Sequence, residues 1–240
     1  MLVGLVPMGG FAERWRPYPC PKELLPFGTD AAGRPRVIAD VVIDRMIHAG
    51  IEQLVIPVRP EKATMVMSYY GHKLTNGADV VYIAAPGPSI LANLQACVPL
   101  LRGHTVLFGF PDTYFEPLEA FSLCLKVFEP GVELVLGTFE NHDIPRVFTT
   151  YRDGQKLVRV RTSPKPPEER EKEVWGVAVW GPDYTERMAA WNREDGDDPS
   201  YVHNAAAQAG NSRCIPMPDN AYYEDMASYT YYERFLCRQK

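Results

Sequence analysis

The sequence is poor in the residues that stabilise small secreted domains. It has only five cysteines among 240 residues, and they lie far apart, at positions 20, 97, 124, 214 and 237. An odd number of widely spaced cysteines with no Cys-x-x-Cys pair argues against a disulfide framework and a structural zinc site. The five histidines have no metal-like spacing either. The cytoplasm, a reducing compartment, is the expected location.

Long hydrophobic runs and an excess of positive charge are also missing. No stretch of about 18 apolar residues occurs, so we expect no transmembrane helix and no membrane partner. The N-terminus lacks the basic start and the cleavage region of a signal peptide. The 25 basic and 30 acidic residues give a net charge of −5, so nucleic acid is not an expected partner. Any positively charged site must therefore be local.

The chain does have enough apolar sequence for a folded α/β domain. Hydrophobic residues make up 46% of it. In the first half, strand-like runs alternate with helix-like ones, which is typical of a mostly parallel sheet with helices on both faces. We predict strands over 2–6, 53–58, 80–84, 105–110 and 133–139, and helices over 37–49, 61–70, 90–101 and 118–128. Ser89 is the expected N-cap of the third helix.

The pattern changes after residue 140. Asp153-Gly154 predicts a hairpin between strands over 147–151 and 157–161, and a proline-rich surface loop follows over 164–172. We then predict a strand over 173–180, helices over 184–191 and 201–209, a strand over 213–217 and a helix over 229–237. Neither a repeat nor a linker divides the chain, so a single domain over 1–240 is the simplest interpretation.

The most informative segment is the loop after the first predicted strand. Gly9 and Gly10 follow that strand directly, and the cations Arg14, Arg16 and Lys22 come next. Backbone N–H groups and positive side chains at the end of a strand can bind one anion, and a polyphosphate fits such a loop. A solvated basic turn is the alternative, and composition does not decide between the two.

Three further residues are candidates for chemistry at phosphate. Asp112 follows an apolar strand, at the edge of an open α/β sheet where ligands bind, and a carboxylate there can hold Mg²⁺. A turn-forming role is its alternative. Asp225 precedes the last predicted helix and, taken alone, is better explained as an acid that complements the helix dipole. Lys165 lies among prolines, where a lysine is usually only solvated.

In their order along the chain, these segments resemble the sugar-1-phosphate nucleotidyltransferases, the family of glucose-1-phosphate thymidylyltransferase. That family opens with a strand, a G-G-x-G-T-R-L-x-P loop and P-K-x-L-L-P. This chain has G-G-F-A-E-R-W-R-P from Gly9 and P-K-E-L-L-P from Pro21. Four later matches follow in order: Pro111-Asp112 for G-D, Lys165-Pro166 for the end of V-x-E-K-P, Gly176 for the start of G-x-Y-x-F, and Asp225 for the acid of W-x-D-x-G-T.

The resemblance implies a fold and a reaction. The fold is an α/β, Rossmann-like three-layer sandwich around a mostly parallel mixed sheet of the GT-A-like type. Its nucleotide-binding half would span 1–140 and its acceptor half 141–240. In the reaction, a sugar-1-phosphate or similar phosphorylated acceptor attacks the α-phosphorus of a nucleoside triphosphate. The products are a nucleoside-diphosphate sugar and pyrophosphate, and the cofactor is Mg²⁺.

The resemblance also implies which residues act. Arg14 would hold the β- and γ-phosphates, Lys22 would bridge the α-phosphate and the attacking phosphate, and Asp112 would complete the catalytic set. The binding residues would be Gly9, Gly10, Arg14, Lys22, Pro86 and Ser89 for the nucleotide, Lys165 and Gly176 for the sugar phosphate, and Asp112 and Asp225 for the metal.

The match is incomplete in the phosphate loop. Ala12 replaces a glycine, Glu13 adds negative charge where phosphate binds, and Trp15 replaces a smaller apolar residue. Segment 83–89 lacks the glutamine of a typical thymidylyl- or uridylyltransferase, so the base is not predicted. The first interpretation is a divergent enzyme, and the second is a non-catalytic homologue that binds a nucleotide sugar or a partner protein. A glycosyltransferase is third, because segment 112–114 lacks D-x-D, and a homo-oligomer is compatible with each.

Overall fold

The structure is a computed structural model that describes residues 1–11, 15, 20–87, 89–140, 149–161, 173–226 and 228–238. Its strands are β1 (Leu2–Leu5), β2 (Pro26–Thr29), β3 (Pro35–Val37), β4 (Gln53–Val58), β5 (Asp79–Ala84), β6 (Thr105–Gly109), β7 (Thr113–Glu116), β8 (Leu134–Glu140), β9 (Thr149–Asp153), β10 (Lys156–Arg161), β11 (Glu173–Trp180), β12 (Ser212–Pro216) and β13 (Tyr222–Asp225). Its helices are α1 (Asp40–His48), α2 (Pro60–Tyr70), α3 (Ile90–Leu101), α4 (Ala120–Lys126), α5 (Pro182–Ala190), α6 (Pro199–Gln208) and α7 (Tyr229–Arg238). Within the described residues, no helix is both long and apolar enough to cross a bilayer.

Most predicted elements are present at or near their expected bounds. The strands over 53–58 and 173–180 and the helix over 90–101 are confirmed without change. The Ser89 hydroxyl caps that helix by accepting a hydrogen bond from the Ala92 N–H at 3.0 Å. The helix predicted from residue 37 begins only at Asp40, because Val37 belongs to β3. Residues 147 and 148 of the predicted hairpin lie outside the described residues.

Nine strands form one mixed sheet in the order β5-β4-β1-β6-β11-β8-β12-β10-β9. The first four are parallel neighbours, and β8 is parallel to β12. β11 runs antiparallel to both β6 and β8, and β10 runs antiparallel to both β12 and β9. The later part of the chain therefore inserts β11 between two earlier strands and does not build a separate sheet.

Successive side chains of a central strand pack on opposite faces of the sheet. Leu54 and Ile56 of β4 join an apolar cluster with residues of α1, α2 and α4. Val55, between them, joins a second cluster with residues of α3, α5 and α6. This period of two is that of a pleated strand. Burial on both faces explains why β4 is apolar throughout residues 54–58.

Four short strands are not among the predicted elements. β2 pairs with β3, and β7 pairs with β13, each pair antiparallel. Each of these strands has only three or four residues, too few to show a period-two pattern. The β7–β13 pair nevertheless joins the segment after β6 to the segment before α7, and both segments contain candidate site residues.

The indole of Trp15 anchors one point of the basic loop. It is 4% exposed and packs in a cluster with Leu25, Ile38 and two α7 side chains, Tyr232 and Phe235. The rings of Trp15 and Tyr232 meet edge to face, with their centroids 5.8 Å apart. A large aromatic residue at this position therefore has a packing role, since α7 covers it.

We expect Phe235→Ala to lower the free energy of unfolding by about 3–5 kcal/mol, because the truncated ring leaves a cavity. Phe235 is fully buried, whereas its neighbour Leu236 is 37% exposed. Leu236→Ala is therefore the matched control and should cost about 1 kcal/mol or less. Urea unfolding of both variants measures the difference, and equal losses would contradict the packing of Phe235 in the Trp15 cluster.

Candidate active site

Two candidate loops leave the sheet at the same edge. β1 and β6 are parallel neighbours with Leu5 opposite Phe108. Both strands therefore have their carboxyl ends on the same side of the sheet, which is called its carboxyl edge below. The chain after β1 contains Gly9 and Gly10, and the chain after β6 contains Asp112. In open α/β sheets, the carboxyl ends of the strands are where ligands bind. The parallel pairing thus brings the glycine-containing loop and Asp112 to the edge where a site is expected.

Lys22 contacts Asp112 at this edge. It begins a short 3₁₀ turn, and its Nζ donates a hydrogen bond to Asp112 Oδ2 in an ion pair. The two side chains are only 15% and 14% exposed, less than a polar loop suggests. Burial lowers the pKa of Lys22, but the carboxylates of Asp112, Glu23 and Asp225 outweigh it and raise that pKa above its ordinary value. Lys22 is therefore a cation at neutral pH.

Asp225 lies beside Asp112, although the two are far apart in the sequence. The β7–β13 pairing sets Asp225 opposite Thr113, and the Met226 N–H donates a hydrogen bond to the Asp112 carbonyl at 2.8 Å. Asp225 ends a strand, and α7 begins only at Tyr229. The interpretation of Asp225 as a helix-dipole acid is therefore wrong, because it does not lie in the first turn of α7.

The two carboxylates fit a magnesium ion. Mg²⁺ is usually held by one or two carboxylates together with phosphate oxygens and water, and Asp112 and Asp225 offer two at one edge. The described part of the chain has no cluster of three or more His, Cys, Asp or Glu side chains that could hold a metal. Two protein carboxylates would leave the other coordination positions of the ion to substrate oxygens and water.

A buried ion pair that the sequence does not reveal supports the Lys22 turn. Glu23 is 1% exposed, and its two carboxylate oxygens accept hydrogen bonds from Lys62 Nζ at 2.8 and 3.1 Å. Lys62 lies in the first turn of α2, so this pair ties the helix to the turn. Neither residue stands out in sequence, because a Lys-Glu pair in a turn and a lysine in a first helical turn are both typical of solvated positions.

Gly9 allows a close approach between two loops. A Cβ at this position would lie 2.6 Å from Asn93 Nδ2 and 2.9 Å from Ala85 Cβ, too close for real atoms. Asn93 is 3% exposed, and its Oδ1 accepts a hydrogen bond from the Gly87 N–H at 3.3 Å. At Gly10, by contrast, no described atom lies within 4 Å of such a Cβ. Among the contacts of the described residues, packing therefore requires glycine at the first of the paired positions and not at the second.

Pro86 and Ser89 lie in the segment that contacts Gly9. Pro86 is exposed. The Ser89 hydroxyl caps α3 and also donates a hydrogen bond to Asp197 Oδ1 at 2.6 Å. These contacts give Ser89 a structural role, and a nucleotide contact by either residue stays a prediction.

Of the remaining predicted residues, Gly176 lies within the described part of the chain. It is at an irregularity of β11, where a Cβ would be 2.6 Å from the ring of Tyr223 and 2.8 Å from that of Phe139. It packs against β13, the strand that ends in Asp225, so it has a structural reason to be glycine. Arg14 and Lys165 lie outside the described residues, and their roles stay predictions.

Lys62→Met should lower the free energy of unfolding by about 3–5 kcal/mol, because the Glu23 carboxylate is then buried without its counter-charge. The double variant Glu23→Gln/Lys62→Met removes both charges and should recover most of the loss. The control is Lys73→Met, since Lys73 pairs with Asp79 on the surface and such pairs are worth about 0–1 kcal/mol. Urea unfolding measures all three, and a Lys62→Met loss no larger than the control would contradict a structural role.

Gly9→Ala should cost about 1–3 kcal/mol of stability, because its methyl group overpacks the contact with Asn93 and Ala85. Gly10→Ala should fold with nearly wild-type stability, since it adds the same group without that contact. Thermal unfolding followed by circular dichroism compares the two variants. A similar loss in both would refute the close-approach argument.

Comparison of the sequence with known protein families and with curated proteins gives no match. Solved structures do match. One is assigned as a glucose-1-phosphate thymidylyltransferase from Bacillus anthracis, in complex with sucrose; its TM-score is 0.83 at 16% identity over 100% of this chain and 96% of that one. A UTP-bound UGPase from Acinetobacter baumannii has a TM-score of 0.76 at 13% identity, over 100% of this chain and 93% of that one. A UDP-glucose pyrophosphorylase complexed with UDP-glucose has a TM-score of 0.77 at 13% identity, over 100% of both chains.

These likenesses cover the whole chain, and nearly the whole of each solved structure. The sequence identities of 13–16% are too low to carry an activity across. The likenesses agree with the order of motifs along the sequence, which independently resembles the same family. The chain therefore has the fold of the sugar-1-phosphate nucleotidyltransferases, with a sequence that has diverged far from those solved structures.

Proposed function

We propose that this protein is a nucleotidyltransferase. It would transfer a nucleoside monophosphate from a nucleoside triphosphate to a sugar-1-phosphate or similar phosphorylated acceptor, and release pyrophosphate. The observation that carries the proposal is the meeting of Lys22, Asp112 and Asp225, from three distant segments, at the carboxyl edge of the sheet. The UTP and UDP-glucose bound by two proteins of the same fold support this class of substrate.

The reaction brings together two anions that repel each other, so catalysis consists mainly of charge neutralisation and in-line positioning. An oxygen of the acceptor phosphate attacks the α-phosphorus, and the bond from that phosphorus to the pyrophosphate oxygen breaks. No side-chain nucleophile is needed. Lys22 is suited to bridge the two phosphates, because its ammonium group is charged and held at the site. Arg14 is proposed to hold the β- and γ-phosphates.

Asp112 and Asp225 are proposed to hold Mg²⁺, which when bound supplies a Lewis acid for the phosphate oxygens. The local charge supports a need for this cation. Among the described residues, Asp112 and Asp225 place two carboxylates near the Lys22 ammonium group. A triphosphate adds further negative charge at these carboxylates, and a divalent cation would offset it.

We further propose a single domain with a Rossmann-like, three-layer, GT-A-like arrangement, in which 1–140 binds the nucleotide and 141–240 binds the acceptor. Apolar clusters that include alternate residues of β4 support the layering, and the insertion of β11 between β6 and β8 supports one domain. The proposed ligand contacts are Gly9, Gly10, Pro86 and Ser89 for the nucleotide, and Lys165 and Gly176 for the sugar phosphate.

The test is a pyrophosphate-release assay with each of the common nucleoside triphosphates against a panel of sugar-1-phosphates, in the presence of Mg²⁺. One combination should give turnover that disappears when the metal is chelated. If calorimetry detects binding of a nucleotide sugar but no triphosphate binds or turns over, the protein is the non-catalytic homologue instead.

Asp112→Asn should reduce turnover by at least about a hundredfold, the scale of losing a main electrostatic contact in the transition state. Asp79→Asn is the matched control. Asp79 is 63% exposed, and it lies at the start of β5, so it is at the amino end of the parallel strands and away from the site. Initial rates of pyrophosphate release compare the two. Wild-type turnover in Asp112→Asn would remove Asp112 from the proposed mechanism.

A further inference from the structure

Lys22 and a divalent cation would need the same carboxylate. The ammonium of Lys22 donates a hydrogen bond to Asp112 Oδ2, and Asp112 is one of the two acids whose chemistry fits Mg²⁺. An ammonium group in contact with a carboxylate oxygen occupies an electron pair that a metal would use. It also repels a second cation at short range.

We propose that Lys22 is an internal competitor for the metal. In the nucleotide-free protein it neutralises Asp112 and keeps the affinity for a divalent cation low. Metal binds well only when the phosphates of a nucleotide attract Lys22 away from the carboxylate. This inference rests on the proposed function, because it concerns the same site.

Two features make the competition effective. The ion pair is largely removed from solvent, with side chains 15% and 14% exposed, so water and salt screen it less than a surface pair. The neighbouring acid, Glu23, is already engaged through both oxygens by Lys62. Asp112 is thus the acid that accepts the hydrogen bond of Lys22.

Competition of this kind couples the binding of the metal to the binding of the nucleotide. If phosphate groups draw Lys22 from Asp112, nucleotide raises the affinity for metal, and metal must raise the affinity for nucleotide by the same factor. The protein would then take up the cation together with the triphosphate. The same lysine serves as a stand-in cation before binding and as a phosphate ligand afterwards.

The experiment measures Mn²⁺ binding to the nucleotide-free protein by isothermal titration calorimetry. Lys22→Met should bind Mn²⁺ at least about tenfold more tightly than wild type, which corresponds to about 1.4 kcal/mol. The same variant should lose turnover, so the two effects have opposite signs. A residue with only a structural role would not improve metal binding when removed.

Two controls isolate the contact. Lys73→Met removes a lysine from an exposed pair with Asp79 and should leave Mn²⁺ affinity unchanged, which tests for a general effect of net charge. Lys22→Met/Asp112→Asn should lose the gain, because the contested carboxylate is gone. Thermal unfolding verifies that each variant is folded, and Lys22→Gln replaces Lys22→Met if the latter is not.

The inference is overturned if the Lys22 variant binds Mn²⁺ no more tightly than wild type, or if the gain survives Asp112→Asn. Its failure is separable from that of the proposed function. Turnover in the wild type without a gain in the variant contradicts the competition alone. A gain in Mn²⁺ affinity in a protein that turns over no triphosphate supports the competition and contradicts the nucleotidyltransferase proposal.

Discussion

The attraction between Lys22 and Asp112 is the contact on which the arrangement of the site depends. It joins the chain after β1 to the chain after β6, and the β7–β13 pairing then adds Asp225 to the same cluster. Without the ammonium group, the largely buried Asp112 carboxylate would lose the counter-charge that Lys22 supplies, which is unfavourable. In the substrate-free protein, this ion pair therefore joins two of the groups that are proposed to act on phosphate.

The rest of the fold holds that contact in place from several sides. Parallel pairing of β1 with β6 brings both loops to one edge. Lys62 fixes the turn that carries Lys22 through the buried carboxylate of Glu23, and α7 covers Trp15. These supports lie in segments that are distant in sequence, so the site depends on tertiary packing and not on the loop alone.

That dependence explains what the sequence can and cannot predict. β4, α3 and β11 match their predicted bounds because long apolar runs and a helix cap are local signals. β7 and β13 cannot be predicted from the local sequence, because each of these four-residue strands forms only by pairing with the other. Local pattern therefore attributes Asp225 to a helix that begins four residues later, and only the resemblance to a family suggests a metal role. Glu23 and Lys62 escape prediction because burial, not residue type, makes them important.

Fold and site provide support of different strength for the proposed reaction. An apolar core tolerates extensive substitution if volume and pattern are kept, so a shared fold at 13–16% identity constrains function weakly. A cluster of charges is less forgiving, because each buried charge is costly without a partner at the right distance. Packing of the apolar core does not explain why a lysine lies near two aspartates at the carboxyl ends of the strands. Their meeting there is therefore a stronger argument for phosphate chemistry than the likeness of the folds.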